Sequence, residues 1–149
     1  MSNDDEPQQF IIDISDESKK LRELKYTLYI ETSFHDSSTS NIKLILTNYR
    51  GINTTKELDI IVNSDIECQL LAAIEGVNWV LEKYNQLEKS NIQLFIITPN
   101  IYLSNVIREW LNDWSSNNFE NRPYQHLLQK LYNIINICKY NGSWCEKKN

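Results

Sequence analysis

The chain has 149 residues and a formal net charge of −5. This length suits one domain with a single hydrophobic core, and an apolar content of 41% with only three Gly and three Pro residues excludes a fibrous or low-complexity protein. The acidic balance argues against a dedicated nucleic-acid-binding protein, which usually carries a basic patch, but it does not exclude a local basic groove.

Three cysteines are present, Cys68, Cys138 and Cys145, and no two of them form a Cys-x-x-Cys pair. Neither a disulfide framework nor a zinc site is therefore indicated. The acidic start of the chain lacks the pattern of a signal peptide, and no apolar run is long enough for a membrane span. We expect an intracellular protein, cytoplasmic or nuclear, with no cofactor and no membrane partner. Its abundance of Asn, Ile, Lys and Tyr is typical of an AT-rich genome, such as that of a large DNA virus, a plasmid or a protist.

Residues 1–24 form an extension with two parts. Met1–Gln9 is polar and acidic, which predicts disorder. A short apolar segment follows, made of Phe10, Ile11, Ile12 and Ile14. This segment is either a short element packed on the domain or an interaction motif that adds a strand to a partner's sheet.

Three strand-like segments come next, Tyr26–Ser33, Ile42–Asn48 and Leu58–Val62. Polar turns separate them, which predicts an antiparallel meander. The following segment, Ser64–Gln86, has apolar residues at three- and four-residue steps, which predicts an amphipathic helix about 33 Å long. The serine that opens it and the glutamate three positions later have the spacing of a capping box.

The second half of the chain predicts a buried strand at Ile92–Ile97, parallel to its neighbour in the sheet. Two helices are predicted at Asn100–Trp114 and Pro123–Ile135, the second with proline in its first turn. A last short strand is predicted at Asn136–Tyr140. The resulting order is βββαβααβ, an α/β fold with a mixed sheet and helices packed on it.

Five local strings occur in this order and spacing: Tyr29-Ile30-Glu31-Thr32-Ser33, Tyr49-Arg50-Gly51, Cys68-Gln69-Leu70-Leu71-Ala72-Ala73-Ile74, Thr98-Pro99-Asn100 and Trp110-Leu111-Asn112-Asp113-Trp114. Together they resemble the ribonuclease H family of bacterial type. The resemblance covers about residues 25–140, and it implies a ribonuclease-H-like domain between the extension at 1–24 and a tail at 141–149.

The resemblance also implies what chemistry to look for. In that family four carboxylates hold two divalent ions, which position the attacking water and the leaving oxygen. Here the first three acidic positions are Glu31, Gln69 and Pro99, and the chain ends at Asn149 without the family's further strand and helix. Since hard cations require anionic oxygen ligands, two-metal hydrolysis is not expected.

One alternative keeps a single weak Mg²⁺ site, built from Glu31 and Asp65, because Asp65 precedes Gln69 by one helical turn. The simpler interpretation is that Asp65 and Glu67 interact favourably with the positive N-terminus of the long helix.

The groups with which the family grips its substrate also differ in this chain. The resemblance places Ser64-Asp65 where the family has a phosphate-binding Thr-Asn pair, Asp113 where it has Asn, and Ser115-Ser116-Asn117-Asn118 where the bacterial enzymes carry a basic handle. Trp110 and Trp114 have the spacing of core residues, with stacking on nucleic acid as the alternative. His35 and His126 lack partners in the sequence and are interpreted as ordinary surface residues.

We therefore expect a catalytically inactive ribonuclease-H-like domain that serves as a protein-interaction or structural subunit, within replication or transcription machinery. The expected partner is another protein or a second copy of the chain, because the missing C-terminal helix should leave apolar surface open. One alternative is a non-catalytic protein that binds RNA–DNA or another duplex through Ser64, Trp110 and Trp114. The second alternative is an unconventional metal-dependent nuclease that uses Glu31.

Overall fold

One mixed five-stranded sheet organises the computed structural model, which describes residues 20–146. Its strands are β1 (Lys25–Ser33), β2 (Ser40–Thr47), β3 (Asn53–Ile60), β4 (Gln93–Thr98) and β5 (Lys139–Trp144). They lie in the order β3-β2-β1-β4-β5. The first three strands form the predicted antiparallel meander, and β4 is parallel to both β1 and β5. The predicted α/β class and mixed sheet are confirmed.

Four helices connect the strands, together with a helical turn at 20–23 before β1. They are α1 (Asp65–Leu81), α2 (Gln86–Lys89), α3 (residues 101–115) and α4 (Gln125–Ile135). α3 is continuous but changes its winding: Ile101–Asn105 and Leu111–Ser115 are α-helical, and Val106–Trp110 between them is π-helical. The one-turn helix α2 was not predicted.

The start of α1 is capped by its predicted serine. The Ser64 hydroxyl accepts a hydrogen bond from the Glu67 N–H at 3.1 Å, and the Glu67 carboxylate accepts one from the Asn63 N–H at 2.8 Å. The helix ends at Leu81, five residues before the predicted end. The reason lies in Asn85, whose side chain caps α2 and starts a new helix where one long helix was predicted.

The helices whose contacts are described pack on one face of the sheet. A Cβ atom added to Gly76 of α1 would lie 2.9 Å from Leu28 and 3.4 Å from Leu44, so α1 lies directly against β1 and β2. A Cβ atom on Gly142 of β5 would lie 2.7 Å from Ile107 of α3, on the same face. Side chains alternate along a strand, so the residues between these buried positions lie on the other face, which we call the open face.

Three further predicted boundaries were wrong. The third strand is Asn53–Ile60 rather than Leu58–Val62, because its first half consists of polar residues that pair with β2 at the sheet edge. The last strand is Lys139–Trp144 rather than Asn136–Tyr140, and it extends into the segment predicted as a tail. α4 begins at Gln125 rather than at Pro123, because Tyr124 has a left-handed backbone with φ of 61°.

Two further predictions concern the apolar segment of the N-terminal extension and the lack of a membrane span. The apolar segment Phe10, Ile11, Ile12 and Ile14 lies outside the described residues. Among the helices within residues 20–146, none combines the length and the apolar character needed to cross a membrane.

Candidate functional site

Glu31 lies near the end of β1, where strand alternation places it on the open face together with Tyr29. The Tyr29 hydroxyl donates a hydrogen bond to the Glu31 carboxylate at 2.9 Å. Burial, followed by this hydrogen bond to the carboxylate, raises the pKa of Tyr29 to about 12. At neutral pH the phenol is therefore protonated and acts as a donor to Glu31. Residues two apart on a strand share a face, so the Tyr29–Glu31 pair could have been predicted from the sequence, but it was not.

Gln69 lies on the first turns of α1 and is only 5% exposed. Its amide nitrogen donates to the Asp65 carboxylate at 3.0 Å. Its amide oxygen is buried and has no hydrogen-bond partner among the described residues. The structure thus pairs Asp65, one of the two acids of the alternative Mg²⁺ site, with the side chain that the sequence resemblance matches to the family's second acid.

The third position is also without a carboxylate. The Pro99 carbonyl accepts a hydrogen bond from the Trp144 indole at 3.0 Å. The neighbouring Asn100 amide donates to the Thr32 hydroxyl at 3.2 Å, which joins the start of α3 to the end of β1. Neutral hydrogen bonds therefore connect the carboxyl ends of β1, β4 and β5.

These residues do not fit two divalent ions. Glu31 offers a carboxylate, Gln69 offers at most an amide oxygen, and Pro99 has no ligand atom in its side chain. Among residues 20–146, no three His, Cys, Asp or Glu side chains are grouped so that they could hold a metal ion. Because Mg²⁺ and Ca²⁺ bind through several oxygen ligands, usually including carboxylates, the donor set at this end of the sheet is too weak for the family's two-metal site.

Trp110 and Trp114 form one wall of a groove rather than part of the fully buried core. Their rings stack with centroids 5.2 Å apart, and Tyr102 meets Trp110 edge-on at 5.8 Å. The guanidinium of Arg122 lies 4.2 Å from the centre of the Trp114 ring. We call this the aromatic groove; it has a volume of about 520 Å³, and Ile66 and Pro123 complete its lining.

Arg122 was missed as a site residue. The loop before α4 contains four non-glycine residues with a left-handed backbone, Asn118, Phe119, Asn121 and Tyr124. Such conformations are uncommon for residues other than glycine, and no periodic pattern predicts them. The predicted binding residue Ser64 lies at this end of the molecule, where its hydroxyl is hydrogen-bonded to the Tyr124 hydroxyl.

The remaining candidate residues are on the surface. His35 and His126 are exposed, and a ring nitrogen of His35 is 3.2 Å from the Ser33 hydroxyl. The hydroxyl of Ser115 donates to the Asn112 carbonyl and that of Ser116 to the Asp113 carbonyl, at 2.7 and 2.9 Å. These hydroxyls satisfy backbone groups at the end of α3.

Strand order and helix placement together give the chain a ribonuclease-H-like fold. Comparison with solved structures agrees. LC9-RNase H1, a type 1 RNase H with the type 2 active-site motif, superposes with a TM-score of 0.66 at 12% identity, over 82% of this chain and 63% of that one. The N-terminal RNase H domain of a Mycobacterium tuberculosis protein gives 0.61 at 7% identity, with 83% of each chain covered.

A viral structure is also similar. The foamy viral protease-reverse transcriptase in complex with dsDNA gives a TM-score of 0.64 at 12% identity, over 87% of this chain and 86% of that one. At such identities the likeness establishes the fold alone. The comparisons with protein-family models and with curated proteins found no match.

Proposed function

We propose that this chain is a non-catalytic ribonuclease-H-like domain that acts as an interaction or structural subunit of nucleic-acid-processing machinery. The observation that carries the proposal is the hydrogen bond from the buried Gln69 amide to Asp65. A neutral donor occupies the position of the second acid, and it binds the nearest carboxylate on the same helix.

A metal ion at this place would have to compete with that amide for the Asp65 carboxylate. Breaking this partly buried hydrogen bond leaves the Gln69 amide, on a buried side chain, without its partner, at a cost of about 1–3 kcal/mol. Glu31 is engaged as well, since it accepts the Tyr29 hydrogen bond. The Asp65 and Glu31 carboxylates thus both accept hydrogen bonds from neutral donors, which supports a role other than the binding of hydrated cations.

A nuclease assay tests the catalytic half of the proposal. The full chain is incubated with an RNA–DNA hybrid and Mg²⁺ or Mn²⁺, beside Glu31→Gln and a matched control, Glu57→Gln, in which an exposed acid of β3 is neutralised. We expect no cleavage by any of the three proteins. Cleavage by the wild type and by Glu57→Gln, but not by Glu31→Gln, would establish the unconventional nuclease instead.

The open face supports the interaction half. Ile45, Tyr29 and Ile97 are register neighbours on three adjacent strands, and all three are only partly buried. An apolar row of this kind across a sheet is a surface on which a protein partner can pack.

Light scattering and affinity capture from the native source test the proposed interaction role. The double variant Ile45→Lys/Ile97→Lys serves as the matched comparison. We expect the wild type to self-associate or to retain a defined protein that the variant loses. A strictly monomeric wild type that captures the same proteins as the variant would contradict an interaction role.

The aromatic groove supports a second candidate function, nucleic-acid binding without catalysis. Stacked tryptophans next to an arginine can hold a base or sugar, at about 1–3 kcal/mol for each stacked base. The test is a gel shift with RNA–DNA hybrid at low salt. We expect Trp114→Ala to weaken binding about fivefold or more, and Trp79→Ala, at a half-buried tryptophan of α1, to leave binding unchanged. Absence of binding by the wild type at low salt rejects this candidate.

A further inference from the structure

A basic groove lies on the open face, where β1, β4 and β5 begin. It has a volume of about 510 Å³, and its lining includes Arg22, Lys25, Lys139 and Phe95. The strand register explains how these groups come together: Lys25, Gln93 and Lys139 are neighbours in one row across the three strands, and Phe95 belongs to the next row. The two lysine backbones are therefore two strand spacings apart, about 10 Å.

The charges of the basic groove lack partners in the described part of the chain. Within residues 20–146, no acidic side chain forms an ion pair with Arg22, Lys25 or Lys139. Glu23, the neighbour of Arg22 in the sequence, accepts a hydrogen bond from Tyr49 at 3.5 Å, and Arg50 packs on the same tyrosine ring. The centre of the groove is apolar, since Phe95 is 42% exposed there.

The segment that precedes the described residues has the complementary composition. Residues 4–17 carry six acidic side chains and no basic one, and they contain the apolar segment Phe10, Ile11, Ile12 and Ile14. We propose that the basic groove is the docking site for this acidic and apolar segment of the same chain, with its acids near the three cations and its apolar side chains on Phe95.

Chain length permits this docking. Arg22 lines the groove, so the segment enters beside it. The six residues from 14 to 19 can span at most about 20 Å, which exceeds the width between Lys25 and Lys139. A tether this short gives an effective concentration in the millimolar range. The chain's own segment is therefore favoured over an acidic partner or a nucleic acid that must bind from solution.

Paramagnetic broadening in the full chain tests the proposal. A nitroxide is attached at Gln9→Cys in a Cys145→Ser background, and amide signals of Thr27, Phe95 and Asn141 are compared with those of Trp79 on the other side of the sheet. We expect the groove signals to lose intensity about twofold or more, since a docked tether keeps the label close, while the Trp79 signal does not change.

Charge reversal provides the matched comparison. Lys25→Glu/Lys139→Glu should restore the groove signals, and Lys89→Glu/Lys130→Glu, the same charge change outside the groove, should not. Equal broadening of the groove and Trp79 signals, or broadening that persists in Lys25→Glu/Lys139→Glu, would overturn the proposal.

A different occupant of the basic groove would change the result of the nitroxide experiment. Each of the two results below would contradict docking of the chain's own segment. Broadening of the groove signals in a mixture, where nitroxide and isotope label are on different molecules, assigns the groove to a second copy. Groove signals that the nitroxide leaves unchanged, but that shift when RNA–DNA hybrid is added, assign it to nucleic acid.

Discussion

The three thiols differ in their surroundings, and this difference determines their reactivity. Cys68 is fully buried on α1 and Cys138 is 7% exposed, whereas Cys145 is partly exposed after β5. Burial raises the pKa of the Cys68 thiol, and it raises that of Cys138 to about 11. Because the thiolate is the reactive form, we regard the two buried cysteines as inert.

We predict that a disulfide-exchange reagent modifies one thiol per native chain rapidly and the other two only after unfolding. Cys145→Ser should abolish the rapid phase and leave the total in denaturant lower by one. Absorbance of the released thiol measures both quantities. A rapid phase that survives in Cys145→Ser would show that a buried cysteine is accessible.

The raised pKa of Tyr29 predicts that the free energy of unfolding depends on pH in the alkaline range. Its pKa in the folded state is about 12, above the ordinary value of about 10, so folding favours the protonated phenol. The stabilisation is complete below pH about 10 and is lost as pH rises towards about 12. Tyr29→Phe should lower the free energy of unfolding by about 1 kcal/mol at neutral pH.

Urea denaturation at a series of pH values measures this contribution. The stability difference between wild type and Tyr29→Phe should be constant through neutral pH and should shrink above pH 10. A difference that grows as pH rises would have the wrong sign and would contradict the assignment.

At the scale of elements, the contact between β5 and the π-helical part of α3 leaves no room for a side chain. A Cβ atom on Gly142 would lie 2.7 Å from Cγ2 and 3.2 Å from Cβ of Ile107, and 3.3 Å from Cγ of Arg108. The Ile107 atoms are close to the helix backbone, so relief requires movement of the helix. We predict that Gly142→Ala lowers the free energy of unfolding by about 1–3 kcal/mol.

A double-mutant cycle measured by urea denaturation checks the cause. The cost of Gly142→Ala should decrease in an Ile107→Ala background, where the nearest atom is absent. Gly51→Ala serves as the control for backbone strain, since Gly51 has φ of 78° and nothing lies within 4 Å of its added Cβ. Additive effects at positions 142 and 107 would rule out the proposed clash.

Sequence patterns predicted the elements best where one side of a strand or helix is buried. In β1, β2 and β4 buried residues alternate with half-buried or exposed ones, and the predicted ranges of these strands are close to the observed ones. β3 lies at the sheet edge and has no fully buried residue, so its first half carries no apolar signal. β5 is defined by its pairing with β4, a long-range contact that local composition does not encode.

At the scale of the whole molecule, two neighbouring residues of β4 test the one-sided packing of the sheet. Ile96 is fully buried under the helices, whereas Phe95 is 42% exposed on the open face. Ile96→Ala should cost about 2–5 kcal/mol of stability, and Phe95→Ala should cost about 1 kcal/mol, because less area leaves water on folding. Thermal or urea unfolding of both variants gives the comparison, and equal losses would contradict the packing of the helices on one face of the sheet.

The five local strings, taken in their order along the chain, were sufficient to predict the fold. Strand order follows from the sequential contacts of a meander and a crossover helix. The strings also located Glu31, Gln69 and Pro99 at one end of the sheet. They did not give the Gln69–Asp65 hydrogen bond or the packing of Arg122 on Trp114, because both depend on side-chain orientation set by tertiary packing. The basic groove depends on strand register, and residues 22, 25, 95 and 139 are distant in sequence.

The hydrogen bond between Gln69 and Asp65 also determines the surroundings that an acidic side chain at position 69 would meet. Gln69→Glu would replace a donor with a second carboxylate, nine-tenths buried and facing Asp65 across the 3.0 Å contact. Two like charges at that distance disfavour ionisation of both groups, so the single change would lower stability without supplying a free ligand. The residue at position 65 therefore determines how an acidic side chain at position 69 would ionise.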